Sequence, residues 1–190
     1  MTLLDSLKNL DHSLFNFFWQ LANLNSLTRI VAVFFGHYFP YIVGLLLIIQ
    51  LLFEKNKLLR WRTFAIVALS TILSRGLVVE IIRFFVHRLR PFMALNLQPF
   101  IADVNDPSFP SGHATFFFAL AFALILIKYR HGWYYFLAAI LISLGRVMAG
   151  VHWPSDILAG AIIGFLCAWL SVYLLKNVSM PVATTTPVSE

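Results

Sequence analysis

The sequence predicts an all-α integral membrane helical bundle of about five transmembrane helices, with an N-terminal amphipathic helix lying in the interface. Three observations predict it. Of the 190 residues, 60% are apolar and 12% are charged, with a mean hydropathy of +0.82, whereas a soluble domain carries about 25% charge. The apolar residues fall in five runs whose lengths approach what a roughly 30 Å hydrocarbon core requires at 1.5 Å per residue. The remaining polar residues gather in three clusters that a five-span topology brings to one face.

Residues 1–25 come first. From Leu3 to Leu24 the chain mixes Asp5, Lys8, Asp11 and His12 with Leu and Phe at three-to-four spacing, the pattern of a helix lying in the interface rather than crossing it. The stretch lacks a basic region ahead of a clean apolar core, which argues against a cleaved signal peptide. Residues 26–176 then form the bundle. The first span runs from Leu27 to Phe53, with Gly36 and Pro40 expected to bend or break it. The second covers Arg62–Ile82, the third Ser111–Ile127 and the fourth Trp133–Ala149. The fifth covers Pro154–Leu175, with its proline suited to a first helical turn. The two shortest require polar flanks near the interface or a slightly thinned bilayer. Residues 177–190 are polar, with Pro and Thr, and are expected to be a disordered tail. No internal repeat or second domain is visible.

Lys55, Lys57, Arg60, Arg62, Lys128, Arg130 and Lys176 flank the spans on one side, which predicts that side to be cytoplasmic. The N-terminal helix, the connection 83–110 and the turn after the fourth span then face the periplasm or cell exterior, in a multi-pass plasma (inner) membrane protein. The net charge of +6 and pI of about 9.8 would suggest nucleic-acid binding in a soluble protein. Between apolar runs these charges instead read as topology signals and anion ligands, so no nucleic-acid partner is expected. Cys167, the single cysteine, lies in an apolar stretch and reads as a small hydrophobe.

The three clusters are "IIRFFVHRLRPF" closing the second span, "SFPSGHATFF" opening the third and "SLGRVMAGVHWPSD" joining the fourth to the fifth. Arg83, Arg90 and Arg146 offer three permanent positive charges, each able to grip two phosphate oxygens. Gly112 brings a backbone amide and the positive end of a helix dipole, and Ser111 brings a hydroxyl. His113 and His152 titrate near neutral pH. Asp156 follows His152 by four residues, so one helical turn brings its carboxylate to the imidazole, protonating one ring nitrogen and leaving the other as a nucleophile. His113 is then the general acid to the leaving oxygen, and a phosphohistidine intermediate follows. Two His and an Asp also suit zinc, but three arginines beside them repel a divalent cation, so no metal and no cofactor is expected. Each feature has a plain structural counterpart: an interfacial polar residue, a snorkelling arginine, a helix cap.

Together these residues resemble the type 2 phosphatidic acid phosphatase superfamily of membrane lipid phosphatases, which shares its site with vanadium haloperoxidases. The family's Lys-x6-Arg-Pro is present as Arg83–Pro91, with Arg for the leading Lys. Its Pro-Ser-Gly-His is intact at 110–113, and its Ser-Arg-x5-His-x3-Asp spans 145–156 with Gly for Ser. The likeness extends over roughly residues 75–165. It implies His152 as nucleophile, Asp156 as its partner and His113 as acid. It implies Arg83, Arg90, Ser111, Gly112 and Arg146 as phosphate ligands. The length, the five-span plan and the outward site are similar to bacterial undecaprenyl-pyrophosphate phosphatases, which recycle the carrier lipid of cell-wall synthesis. The resemblance therefore implies a metal-independent hydrolase that converts undecaprenyl pyrophosphate to undecaprenyl phosphate. Phosphatidylglycerophosphate, phosphatidic acid and lipid A phosphates are the alternative substrates. An anion transporter and an inactive scaffold are the readings from other classes.

Two residues outside the motifs need a reason, because ionisable groups within a span are costly unless paired. Arg75 lies inside the second span, and Glu80 lies one turn before Arg83. Either Glu80 neutralises Arg75 or Arg83, or it shapes the site for the second phosphate of a pyrophosphate.

Overall fold

The structure is a computed structural model that describes residues 2–101 and 106–176. Helix α1 spans Leu3–Ala22 and begins in a reciprocal cap, in which Asp5 N donates to Thr2 Oγ1 and Thr2 N donates to the Asp5 carboxylate. It carries three stripes. Asp11, Phe15 and Ala22 are buried against the protein, Leu7, Leu10, Leu14, Phe17 and Leu21 are exposed, and Lys8, Asn9, Asn16 and Gln20 lie on the polar side. One apolar stripe for lipid and one for protein is what an interfacial helix packed on a bundle requires.

The described residues then hold α2 (Ser26–Phe53), α3 (Lys57–Phe85), the single turn α4 (Pro91–Ala94), α5 (Gly112–Leu126), α6 (Gly132–Met148) and α7 (Pro154–Leu174). α2, α3 and α7 are long and apolar enough to cross a membrane, while α5 and α6 are shorter apolar helices of 15 and 17 residues. The all-α class and the order of the segments are those the sequence predicts. α3 extends beyond its expected Arg62–Ile82 at both ends, and α4 has no counterpart in the sequence reading. The tail expected from residue 177 lies outside the described residues.

α2 does not break at Gly36 and Pro40. A π-helical turn at Phe34–Tyr38 absorbs the missing donor and the helix continues to Phe53. Pro40 has no N–H for the Gly36 carbonyl four residues back, and that carbonyl accepts from Arg146 Nη1 at 3.4 Å. A second π turn, Ile72–Val78, interrupts α3 and carries Arg75.

α5 is the central helix, packed on α7, α6 and α3 and buried on most of its circumference. Its sequence shows almost no polar face because it has none to show. Gly160 and Gly164 of α7 meet α5 so closely that a side chain at Gly164 would stand 2.7 Å from Ala119 N, the small-residue packing that substitutes for hydrophobic driving force in lipid. Buried hydroxyls on α3 donate back along their own helix, Ser70 to the Ile66 carbonyl at 2.7 Å and Thr71 to Val67 at 2.9 Å. These two hydroxyls are thereby satisfied without a partner helix.

Candidate active site

Helix ends and turns at one end of the bundle supply the residues of the three motifs, while Arg75 and Glu80 lie within α3. The C-terminal turn of α3 gives Arg83, and the connection after it gives Arg90. The N-terminus of α5 gives Ser111, Gly112 and His113. The last turn of α6 gives Arg146, the turn 149–153 gives His152, and the first turn of α7 gives Asp156. Arg83, Arg90, Ser111, Arg146, His152 and Asp156 are all buried, a costly arrangement that anion binding and pairing can offset.

The arginines are aimed by backbone oxygens. Arg83 Nη2 donates to the Pro110 carbonyl at 3.2 Å, and its guanidinium stands 3.7 Å from the Asp106 carboxylate. Arg90 donates to the carbonyls of Asp106 at 2.9 Å and Val151 at 3.2 Å. Arg83 Nε is buried with no hydrogen-bond partner in the protein. An unmade buried N–H costs about 1–3 kcal/mol, a penalty that a phosphate oxygen would relieve. Ser111 caps α5, its Oγ accepting from Ala114 N at 3.4 Å. The cap uses only the oxygen's acceptor side, so the hydroxyl proton remains available to an anion.

His152 Nδ1 faces Asp156 Oδ2 at 3.5 Å, which leaves Nε2 as the ring nitrogen not directed at the carboxylate. At that distance Nδ1 makes no full hydrogen bond; the pair is a loose one that a positive charge on the ring would tighten. Burial pushes His152 down to about 4, with Arg146 and Arg90 adding to the shift and Asp156 opposing it. The imidazole is therefore neutral, and nucleophilic, across the physiological range. His113 lies within electrostatic range of Arg146, His152, Arg75 and Arg90, and lines a cavity with Arg75 and Gly112.

Asp156 is more heavily held than its sequence position suggests. Oδ1 accepts from Arg88 Nη1 at 2.7 Å, while Oδ2 accepts from Trp153 N at 2.9 Å and from Ser108 Oγ. Sequence reasoning assigned nothing to Arg88 or Ser108, although both lie inside the quoted clusters. Glu80 pairs with Arg75, both of them partly exposed, rather than with Arg83. Arg75 lies against Gly112, where an added side chain would stand 2.5 Å from its Nε. Gly145, where the resembled motif has Ser, is a contact point: a side chain there would stand 2.8 Å from the Phe35 carbonyl carbon. It lets the π turn of α2 approach α6 beside Arg146.

Residues 63–180 match the profile described as the PAP2 superfamily, well over half of the chain. The chain belongs to the PAP2 superfamily. It is therefore a metal-independent membrane lipid phosphatase, a hydrolase, and a multi-pass membrane protein. It is similar to the "Bacitracin transport permease protein BcrC" of Bacillus licheniformis, 29% identical over 86% of this chain and 79% of that one. It is similar also to an undecaprenyl-diphosphatase of Sulfolobus acidocaldarius, 31% identical over 82% of this chain and 72% of that one. Among solved structures, LpxE of Aquifex aeolicus superposes with a TM-score of 0.61 at 30% identity, covering 83% of this chain and 93% of its own.

Proposed function

We propose that this PAP2 phosphatase hydrolyses a prenyl pyrophosphate at the outer membrane face, converting undecaprenyl pyrophosphate to undecaprenyl phosphate through a phosphohistidine. His152 Nε2 attacks the terminal phosphorus and the bond to the bridging oxygen breaks. His113 gives that oxygen its proton, and the lipid leaves as the monophosphate. Water then attacks the phosphohistidine, losing its proton to His113, and inorganic phosphate departs. Arg83, Arg90, Arg146 and the α5 N-terminus hold the oxygens in which charge builds up. Asp156 balances the positive charge that forms on His152.

The observation that carries the pyrophosphate reading is Arg75. It lines a cavity of about 250 Å³ together with His113, Gly112, Tyr41 and Phe117. If His113 protonates the leaving oxygen, whatever remains on the leaving lipid passes through that cavity. For a pyrophosphate this is a second phosphate, and Arg75, oriented by Glu80, is the cation beside it. A monophosphate ester has a carbon, not a charged phosphate, directly on its leaving oxygen. The undecaprenyl-diphosphatase relative supports the same choice.

The test is phosphate release in detergent with EDTA, on undecaprenyl pyrophosphate beside phosphatidic acid, phosphatidylglycerophosphate and lipid A phosphates. Preference for the pyrophosphate is expected. Arg75→Gln and Glu80→Gln are expected to lower its turnover about 10-fold or more, with the monoesters changing less than about 3-fold. Equal losses on both substrate kinds overturn the second-phosphate role, and preference for a monoester overturns the substrate assignment.

A further inference from the structure

We propose that Asp11 and Arg88 are positioning residues for Asp156 and His152, which makes the N-terminal interfacial helix a working part of the active site. Asp11 is a carboxylate on the buried stripe of α1, where its neighbours one and three turns on are Phe15 and Ala22. Its side chain is 8% exposed, and it is held by three donors. Arg88 Nη2 reaches Oδ2 at 2.6 Å, Ser155 N reaches Oδ1 at 2.8 Å and Ser155 Oγ reaches Oδ2 at 2.7 Å. The other terminal nitrogen of Arg88 contacts Asp156 Oδ1 and Ser155 Oγ, both at 2.7 Å. One guanidinium thus bridges two buried carboxylates, one on the interfacial helix and one beside the nucleophile. Its plane lies over Trp153, 5.2 Å from the ring centroid, so it is fixed from a third direction.

Two consequences follow from this geometry. Asp156 is held from one side by Arg88 and from the other by Trp153 N and Ser108 Oγ, so its Oδ2 is set toward His152 whether or not substrate is bound. Asp11 also shares the positive charge of Arg88. Without it, that charge would act on Asp156 alone and weaken the support Asp156 gives to His152 as the ring becomes cationic. No phosphate contact is required of Asp11 or Arg88. Their effect reaches the reaction through Asp156 and bears on turnover rather than on substrate binding.

The inference rests on His152 being the nucleophile, and the experiment separates the two. Asp11→Asn, nearly isosteric, is expected to lower kcat about 10-fold or more with KM within about 2-fold. Ser155→Ala, which removes one hydroxyl from both Asp11 and Arg88, is expected to lower kcat about 3-fold. Folded fractions are measured by thermal unfolding in detergent. Asp11→Asn with wild-type kcat, or with a loss matched by its unfolded fraction, overturns the relay. Should Asp11→Asn fail to fold, Ser155→Ala decides, and an unchanged kcat overturns the inference. His152→Ala that still turns over overturns the nucleophile assignment instead.

Discussion

At the scale of single residues, the site combines a neutral buried histidine with a surplus of buried arginine charge. His152 has an ordinary value of 6.5 and is pushed down to about 4. Its nucleophilic form therefore persists as pH falls through the usual histidine range, and is lost only as pH drops through the lower value. The acid limb of kcat/KM, which reports the free enzyme, is expected well below pH 6.5, toward about 4, while the alkaline limb reports the proton donor. An acid limb centred at the ordinary value would contradict the burial-driven shift. His152→Ala is expected to lose more than about 1,000-fold in kcat, as removing a covalent nucleophile does. The sequence already paired His152 with Asp156 by their spacing. It said nothing of Arg88 and Ser108, because their partner is 68 and 48 residues away and no local pattern marks such a bond. Asp11 left one trace, a charged side chain at the spacing of the buried apolar stripe, but its partners lie 77 and 144 residues on.

At the scale of elements, the two π turns contribute differently, that of α3 carrying Arg75 and that of α2 a backbone carbonyl. The turn in α2 carries Gly36 against Gly145 and leaves the Gly36 carbonyl for Arg146. The sequence marked Gly36 and Pro40 as a place where the span bends or breaks, and the structure puts a π turn there without ending the helix. Neighbouring helices and a side-chain donor satisfied the freed backbone group, so the helix did not need to end. Gly145 was read only as a departure from a motif, since a one-dimensional pattern does not show which backbone passes across it. Gly145→Ala is expected to push the π turn of α2 off α6, lowering the thermal midpoint by the equivalent of about 1–3 kcal/mol. Circular dichroism melting in detergent would measure it. An unchanged midpoint would show that the crossing relaxes without cost.

At the scale of the whole molecule, a bundle whose buried polar cluster lies at one end should sit in the membrane with that end in the headgroup region. We propose that this end faces outward, because the lysine- and arginine-rich connections lie at the other. A cysteine at Asn16, exposed on α1, is expected to react with an impermeant maleimide on intact cells. One at Lys55, in the connection between α2 and α3, should react only after permeabilisation. Cys167 is buried in the bundle and should stay silent in both. The reverse pattern would place the site on the cytoplasmic side. The sequence by itself determined the membrane class, the helical segments and the residues that the fold gathers at one end of the bundle. Hydropathy and motif spacing are local properties, and a bilayer leaves a chain few ways to satisfy its backbone. Tertiary structure alone decided that Glu80 answers Arg75, that Gly145 is a crossing point and that Asp11 reaches the catalytic pair through Arg88. Each depends on which helices come to lie side by side, and packing settles that across the whole bundle at once.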